Sequence, residues 1–521
     1  NSTAIWNDAL NWNDCGGGVP GSSDTVVFDG AVSSASLDLD INPGTTIAGF
    51  TMESDYSGTL DMNTNGLDIN GNFSKAGGTI ETNNGGDYFA VTGDTSITGG
   101  TFVITRGYYT ITSGDFVVSG DNTFQMGGSN YPVLTINGSG AHNLSISGTG
   151  NYIGQAANIA ELDITMSSVS DVITITNSIQ LHNVQIYEGT LALSDSIIVD
   201  MDGVLIGQNG GKLQMGTSTI TLGRDDLAHG SFATYHIQAG FVEDITGGTI
   251  SIEGAGNSTY GSAYFENGSV YTPTGGTLSF IGDDTTAIYS AEADDADFNL
   301  YNLTVGDGTN TKTLSIDTDT VLDLDLDGSL TINTNATFDS NAEDILVGGS
   351  WTNNNIYIHD NNQVSFNGAG TQTITGVDGD NDDFYNVVLD GGTLSIAANY
   401  VGTTPDMEVD NDFTLTSGTL DFNASFLKVR NDFVKNGGNV TMDQDTAAIE
   451  VDNDYTITAD AGSSDWSDGY TTVSGDVAIS GASTFIYGGV GHPVFTMDGT
   501  GDFTLAITGA NNTVGTTSVL A

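Results

Sequence analysis

The chain has 521 residues, 66 acidic and 8 basic, giving a formal net charge of −58 at pH 7. That balance argues against DNA, RNA and anionic membranes as partners, each of which needs a basic footprint. Hydrophobic residues make up 38% of the chain, enough to bury a core and exclude a disordered polymer, and the single cysteine, Cys15, excludes an intramolecular disulfide.

Of the acids, 55 are Asp and 11 are Glu. Asp is a poor helix former and a good turn residue, so the preference favours turns and oxygen-ligand cation sites. The chain opens at Asn1 with no charged n-region or apolar h-region, so any signal peptide is expected to be removed or left out. No apolar stretch is long enough to cross a bilayer, and no membrane insertion is expected.

Residues 1–46 differ from the rest of the chain. Trp6 and Trp12 precede Gly18-Val-Pro-Gly21 and Asp24-Thr-Val-Val-Phe28-Asp29, a pattern that predicts an apolar cap over the open end of a repeat array. From residue 47 to 521 nearly every segment reads as a short alternating strand closed by a Gly, Asn or Asp turn. Examples are Thr59-Leu-Asp-Met-Asn63, Thr101-Phe-Val-Ile-Thr105, Thr190-Leu-Ala-Leu-Ser194 and Thr393-Leu-Ser-Ile396. The Gly that opens such strands recurs at Gly58, Gly78 and Gly100, and again at Gly392, Gly418 and Gly438, in steps of 20 to 26 residues. That step is too long for hairpins and fits one coil of a three-sided solenoid. The predicted fold is all-β: one continuous, single-stranded parallel β-helix of roughly two dozen coils, right-handed by the crossover rule.

The array is duplicated. Tyr109–Gly154 aligns without gaps on Tyr470–Gly515, with 21 identities in 46 positions. Phe73-x-Lys75-x-Gly77-Gly78 returns as Phe433-x-Lys435-x-Gly437-Gly438, so that residues 57–154 resemble 417–515. A second unit of roughly 85 residues makes 278–316 resemble 364–396, through Leu278-Ser-Phe280/Val364-Ser-Phe366 and Tyr301-Asn-Leu303/Tyr385-Asn-Val387. The closing Thr516–Ala521 carries no capping pattern, so either the chain is cut there or the open end is expected to dock onto a neighbouring subunit.

The opening Trp6…Asn11-Trp12…Asp24-Thr-Val-Val-Phe28-Asp29, with Ile47–Met52 and Tyr56-Ser-Gly-Thr-Leu60, resembles secreted bacterial cell-surface proteins built from parallel β-helix repeats: adhesins, autotransporter-passenger-like proteins, and surface-layer or filament subunits. The resemblance covers the whole chain but is one of style. It implies an extracellular structural or adhesive role and carries over no functional residue.

The candidate metal site is Asp378-Gly-Asp380-Asn-Asp382-Asp383, where carboxylates at alternate positions of a Gly-containing loop can converge on a hard cation. It departs from the EF-hand pattern, with Asp383 where Gly is expected and no Glu at the twelfth position. Glu292, Asp294, Asp295 and Asp297 form a second candidate, and Ca²⁺ is the expected structural cation. The alternating Leu37-Asp-Leu-Asp40 and Asp323-Leu-Asp325-Leu-Asp327 place carboxylates along one face of a strand, as a polar face or a row of bridged charges. Exposed aromatics such as Tyr108, Tyr109, Tyr260, Tyr264, Tyr271 and Trp466 would stack on neutral sugars; buried ones fill the coil.

No catalytic constellation stands out. The eight basic residues are scattered, and Asp225-Asp226 with His229 is the nearest approach to a hydrolase set. The expectation is therefore a non-enzymatic, extracellular structural subunit of a surface assembly that self-associates end-to-end or laterally through cations. The alternatives are a monomeric adhesin stalk or glycan-binding module and, third, a polysaccharide-degrading β-helix enzyme.

Overall fold

The computed structural model describes residues 4–13, 18–38, 45–128, 130–155, 158–223, 233–254, 261–291, 298–318, 323–376, 383–397, 405–458, 464–480, 485–488, 491, 493–509 and 512–514. The fold is an all-β parallel solenoid of about 19 turns, close to the expected two dozen. The walls have the expected size, but the corners lengthen the coil. Leu67 pairs with Phe89 and Phe89 with Tyr109, 22 and 20 positions on, whereas Leu134 to Leu162 takes 28 and Leu205 to Tyr235 takes 30.

Two compact units are formed, residues 1–276 and 277–521. In the first, one coil runs through Tyr88–Val91, Thr95–Ile97 and Thr101–Ile104. Each strand pairs in parallel with its counterpart one coil on: Tyr108–Ile111, Phe116–Val118 and Phe124–Met126. Side chains alternate across a strand, so Phe102 and Ile104 point in while Thr101 and Val103 stay at the surface. In-register stacking puts Phe102 between Ile80 and Phe124.

The second unit uses the same three walls, as in Phe426–Val429, Phe433–Lys435 and Asn439–Thr441. Its Phe413, Phe433 and Tyr455 form a ring stack with centroid spacings of 5.5 and 5.1 Å; Phe50 and Phe73 stack at 4.9 Å in the first unit. Where a strand turns a corner without breaking, glycine is required. Gly418 has φ +81°, and a Cβ there would lie 2.0 Å from the Gly391 carbonyl oxygen.

The duplications are visible in the pairing. Thr277–Phe280 pairs with Asn302–Val305 as Gln363–Phe366 pairs with Asn386–Leu389. The longer repeat contains a slip. Tyr108–Ile111 and Tyr470–Val473 share one exposed-buried alternation, so the structural counterpart of Tyr470 is Tyr108, not Tyr109 as in the ungapped alignment. The turn after each strand explains it: four residues separate Ile111 from Phe116, and three separate Val473 from Val477.

At the start of the chain Trp6 is fully buried, and its ring meets Trp12 edge-on at 4.7 Å. Trp12 in turn meets Phe28 at 6.1 Å and donates its indole N–H to the Trp6 carbonyl at 2.8 Å.

Candidate functional site

Six of the aspartates form corner series that bond the next coil. In the second unit Asn386 Oδ1 accepts from Asn411 Nδ2 at 2.8 Å and the Asp412 amide at 3.3 Å. Asp412 Oδ1 accepts from Asn431 Nδ2 and the Asp432 amide at 2.7 and 3.2 Å, and Asp432 Oδ1 from Asn453 Nδ2 and the Asp454 amide at 2.7 and 3.1 Å. Asp454 and Asp476 continue the series to the Asp476 and Thr504 amides. The first unit has the same device in Asn72, Asp94 and Asp115, which accept from the Asp94, Asp115 and Asn143 amides. A short acceptor side chain reaches the amide of the next coil and satisfies a donor that the wall ladder leaves open.

Seven of the eight basic residues lie among the described residues, and each is buried or bonded within the chain. Lys75 and Lys435 lie in the solenoid interior. Lys75 Nζ donates to the carbonyls of Gly77, Gly78 and Gly99 at 2.9, 3.0 and 3.0 Å, and Lys435 Nζ to Gly438 at 2.7 Å. Burial pushes the Lys75 amine down to about 7. Lys312, also buried, is paired with Asp284, and Lys212 with Asp244 at 3.1 Å. Lys428 sits between Glu450 at 2.7 Å and Asp452 at 3.4 Å, while Arg430 meets Glu408 at 2.5 Å and Asp410 at 3.0 Å. Arg106 donates to Asn130 Oδ1 at 2.6 Å.

One wall of the first unit carries a carboxyl pair. Glu161 and Asp163 are both outward residues of Glu161–Thr165 and hydrogen-bond to each other. Burial first, then the Glu161 charge, pushes the Asp163 carboxyl up to about 8, so Asp163 keeps its proton at neutral pH. Gln185 Nε2 donates to Glu161 and Gln208 Nε2 donates to Gln185 at 2.8 Å, each from the next coil. Further along the wall His236 is stacked on Tyr264 at 4.9 Å and contacts Glu266 at 2.7 Å. Burial lowers the His236 pKa against the pull of Glu266. Glu243 lies near the buried hydroxyls of Tyr235 and Tyr271, and burial pushes its carboxyl up to about 7. Sequence reading passed over Glu161-Leu-Asp163, although its alternation is the one noted at Asp323–Asp327.

Of the candidate metal ligands, Asp378, Asp380, Asp382, Glu292, Asp294, Asp295 and Asp297 lie outside the described residues. Asp383 is described. It is near enough to Arg430 to act with Glu408 and Asp410 in raising the guanidinium pKa against desolvation. The chain thus brings a basic residue near Asp383, the one candidate ligand of that segment among the described residues. Among the described residues no three His, Cys, Asp or Glu side chains converge to hold a metal ion.

The alternating acids divide. Asp323 and Asp325 flank buried Leu324 and Leu326, but the next strand places Leu346 at the register position of Asp325. In the first unit the register sets Asp38, Asp61 and Glu81 at one position on three successive strands, and Asp40 lies outside the described residues. Of the aromatic candidates, Tyr109, Tyr271 and Trp466 are buried, Tyr264 packs on His236, and Tyr260 lies outside the described residues. Tyr108 is 55% exposed, as is its counterpart Tyr470 at 52%. Cys15, Asp225, Asp226, His229 and residues 516–521 also lie outside the described residues. No helix among the described residues is long and apolar enough to cross a membrane. No family model, no curated protein and no solved structure matches the chain.

Proposed function

We propose that the chain is a secreted structural protein, a β-solenoid subunit of a cell-surface assembly such as a filament, sheath or surface layer, whose acidic surface takes up cations, Ca²⁺ first. The observation that carries this reading is the fate of the basic residues. Those of the described residues are buried or already bonded within the chain, while the formal charge is −58. Neutralisation therefore falls to ions from outside. The pair Asp61 and Glu81 sets like charges one strand apart, about 4.8 Å, at a cost on the order of 1 kcal/mol in water. A bridging cation relieves that cost within one molecule and joins acidic faces of two.

Electron microscopy of the purified chain with millimolar Ca²⁺ and with chelator tests the reading. Ordered polymers or sheets that dissolve on chelation support it. Single particles of unchanged size in both buffers sink it.

A second reading, a glycan-binding module, is favoured by one observation: the exposed tyrosine at Tyr108 recurs at Tyr470. Retention on a neutral polysaccharide column, lost in Tyr108→Ala/Tyr470→Ala, would select it over the first.

A further inference from the structure

The strand Thr25–Phe28 ends its ladder. It pairs with Gly49–Met52, which pairs onward with Phe73–Lys75, and among the described residues no strand covers its other edge. Asp24 and Phe28 give their carbonyls to the Ala48 and Glu53 amides. Peptide groups alternate between the two edges of a strand, so the N–H and C=O of Thr25 and Val27 face the open side.

A cavity of about 370 Å³ lies along this edge. It is lined by Val26 and Phe28, which point into the solenoid, and equally by Val27, which points out. Residues from opposite faces of a strand can line one cavity only where it runs along the edge. Trp12 and Tyr56 form further parts of the lining, and Val27 and Val32 stand 51% and 64% exposed. An open edge with apolar side chains beside it is a template for strand addition.

Charge selects the occupant. Residues 1–74 contain ten acids and no Lys, Arg or His, and the first base, Lys75, is buried. A second copy would bring another −58, with the bases of its described residues buried or bonded, and would need cations to bridge it, whereas a basic strand brings its own counter-charge. We propose that the Thr25–Phe28 edge and its groove receive an extended, basic segment of a different protein, which adds as a parallel strand, hydrogen-bonds Thr25 and Val27, and sets apolar side chains against Val27 and Val32. This inference is independent of the cation-bridged assembly.

The test uses three fluorescent peptides on the whole chain: alternating Lys-Val, alternating Glu-Val and alternating Lys-Pro. Lys-Pro keeps the charge but cannot form a ladder. The expected result is saturable one-to-one binding of Lys-Val alone, with slower hydrogen exchange in the segment spanning Thr25–Phe28. Val27→Pro removes an amide on the open edge and not the ladder to Gly49–Met52; it should weaken Lys-Val binding about tenfold, the worth of one or two backbone hydrogen bonds. Val27→Lys leaves the backbone intact and should also weaken binding, by charge repulsion. Equal binding of Lys-Val and Lys-Pro, or insensitivity to both variants, would reduce the effect to general attraction by an acidic surface and overturn the proposal. Dimerisation at high salt that Val27→Pro abolishes, with no peptide bound, would assign the edge to a second copy and overturn it equally.

Discussion

Lys75 Nζ lies 3.0 Å from the carbonyl oxygen of Gly99, a residue of the following coil, and two further carbonyls complete three acceptors for the three N–H bonds of an ammonium. Lys435, 360 positions on, is likewise buried and donates to the Gly438 carbonyl, the counterpart of Gly78. Truncation leaves these carbonyls unpaired in the interior together with a void. Lys75→Ala should therefore cost about 3 kcal/mol, read as a lower urea midpoint for the transition of the first unit. Lys75→Met keeps the volume and should lose less.

The same residue sets a pH dependence. Its folded pKa, about 7, lies below the ordinary value of roughly 10.4, so between these the unfolded chain holds the extra proton. Its contribution to stability is complete above the upper value and is lost as pH falls to the lower one. Urea midpoints measured from pH 7 to 10 should rise for this group, and the slope should flatten in Lys75→Met.

The Glu161–Asp163 pair acts in the opposite sense. Asp163 keeps its proton to about 8 in the fold but only to roughly 3.9 when unfolded. The stability it confers is complete below the lower value and is lost as pH rises through the upper one. Asp163→Asn can still donate to Glu161 and should make the first unit less sensitive to pH between 5 and 9. An unchanged profile would show that the pair shares no proton.

Tyrosine substitutions separate the true register of the duplication from the ungapped one. Tyr108→Ala and Tyr470→Ala should each change stability by no more than about 0.5 kcal/mol, because both rings are exposed. Tyr109→Ala should cost about 3–5 kcal/mol, because that ring is fully buried between Phe89 and Phe116 and bonds Thr95 at 2.9 Å. If Tyr470 matched Tyr109, its loss would be equally severe.

The corner series makes aspartates structural. Asp432→Ala removes the acceptor for both Asn453 and the Asp454 amide and should destabilise the second unit by about 1–2 kcal/mol, although it relieves negative charge. Asp443→Ala, where the carboxylate accepts from the exposed side chain of its neighbour Gln444, serves as the charge-matched control. Equal effects of the two would make the ladder energetically idle.

Alternation within short segments was enough to specify an all-β parallel solenoid and to name most inward residues, because side-chain direction in a strand has a period of two and depends on neighbours alone. Phe102, Ile104, Leu324 and Leu326 were legible in this way, as was the duplication carrying Lys75 and Lys435. Tertiary structure decided everything that depends on residues a coil apart. One residue fewer in the turn after Val473 put Tyr470, and not its successor, on the surface. Coil length, set at the corners, fixed the turn number at about 19, close to the two dozen expected. Glycine carbonyls 2, 3 and 24 positions away turned Lys75 from a surface charge into a core residue. The pairing of Asp61 with Glu81, and of Asp325 with Leu346, set an acid beside one acidic face and a leucine beside the other. Such contacts follow from register, and register is fixed only when whole coils stack.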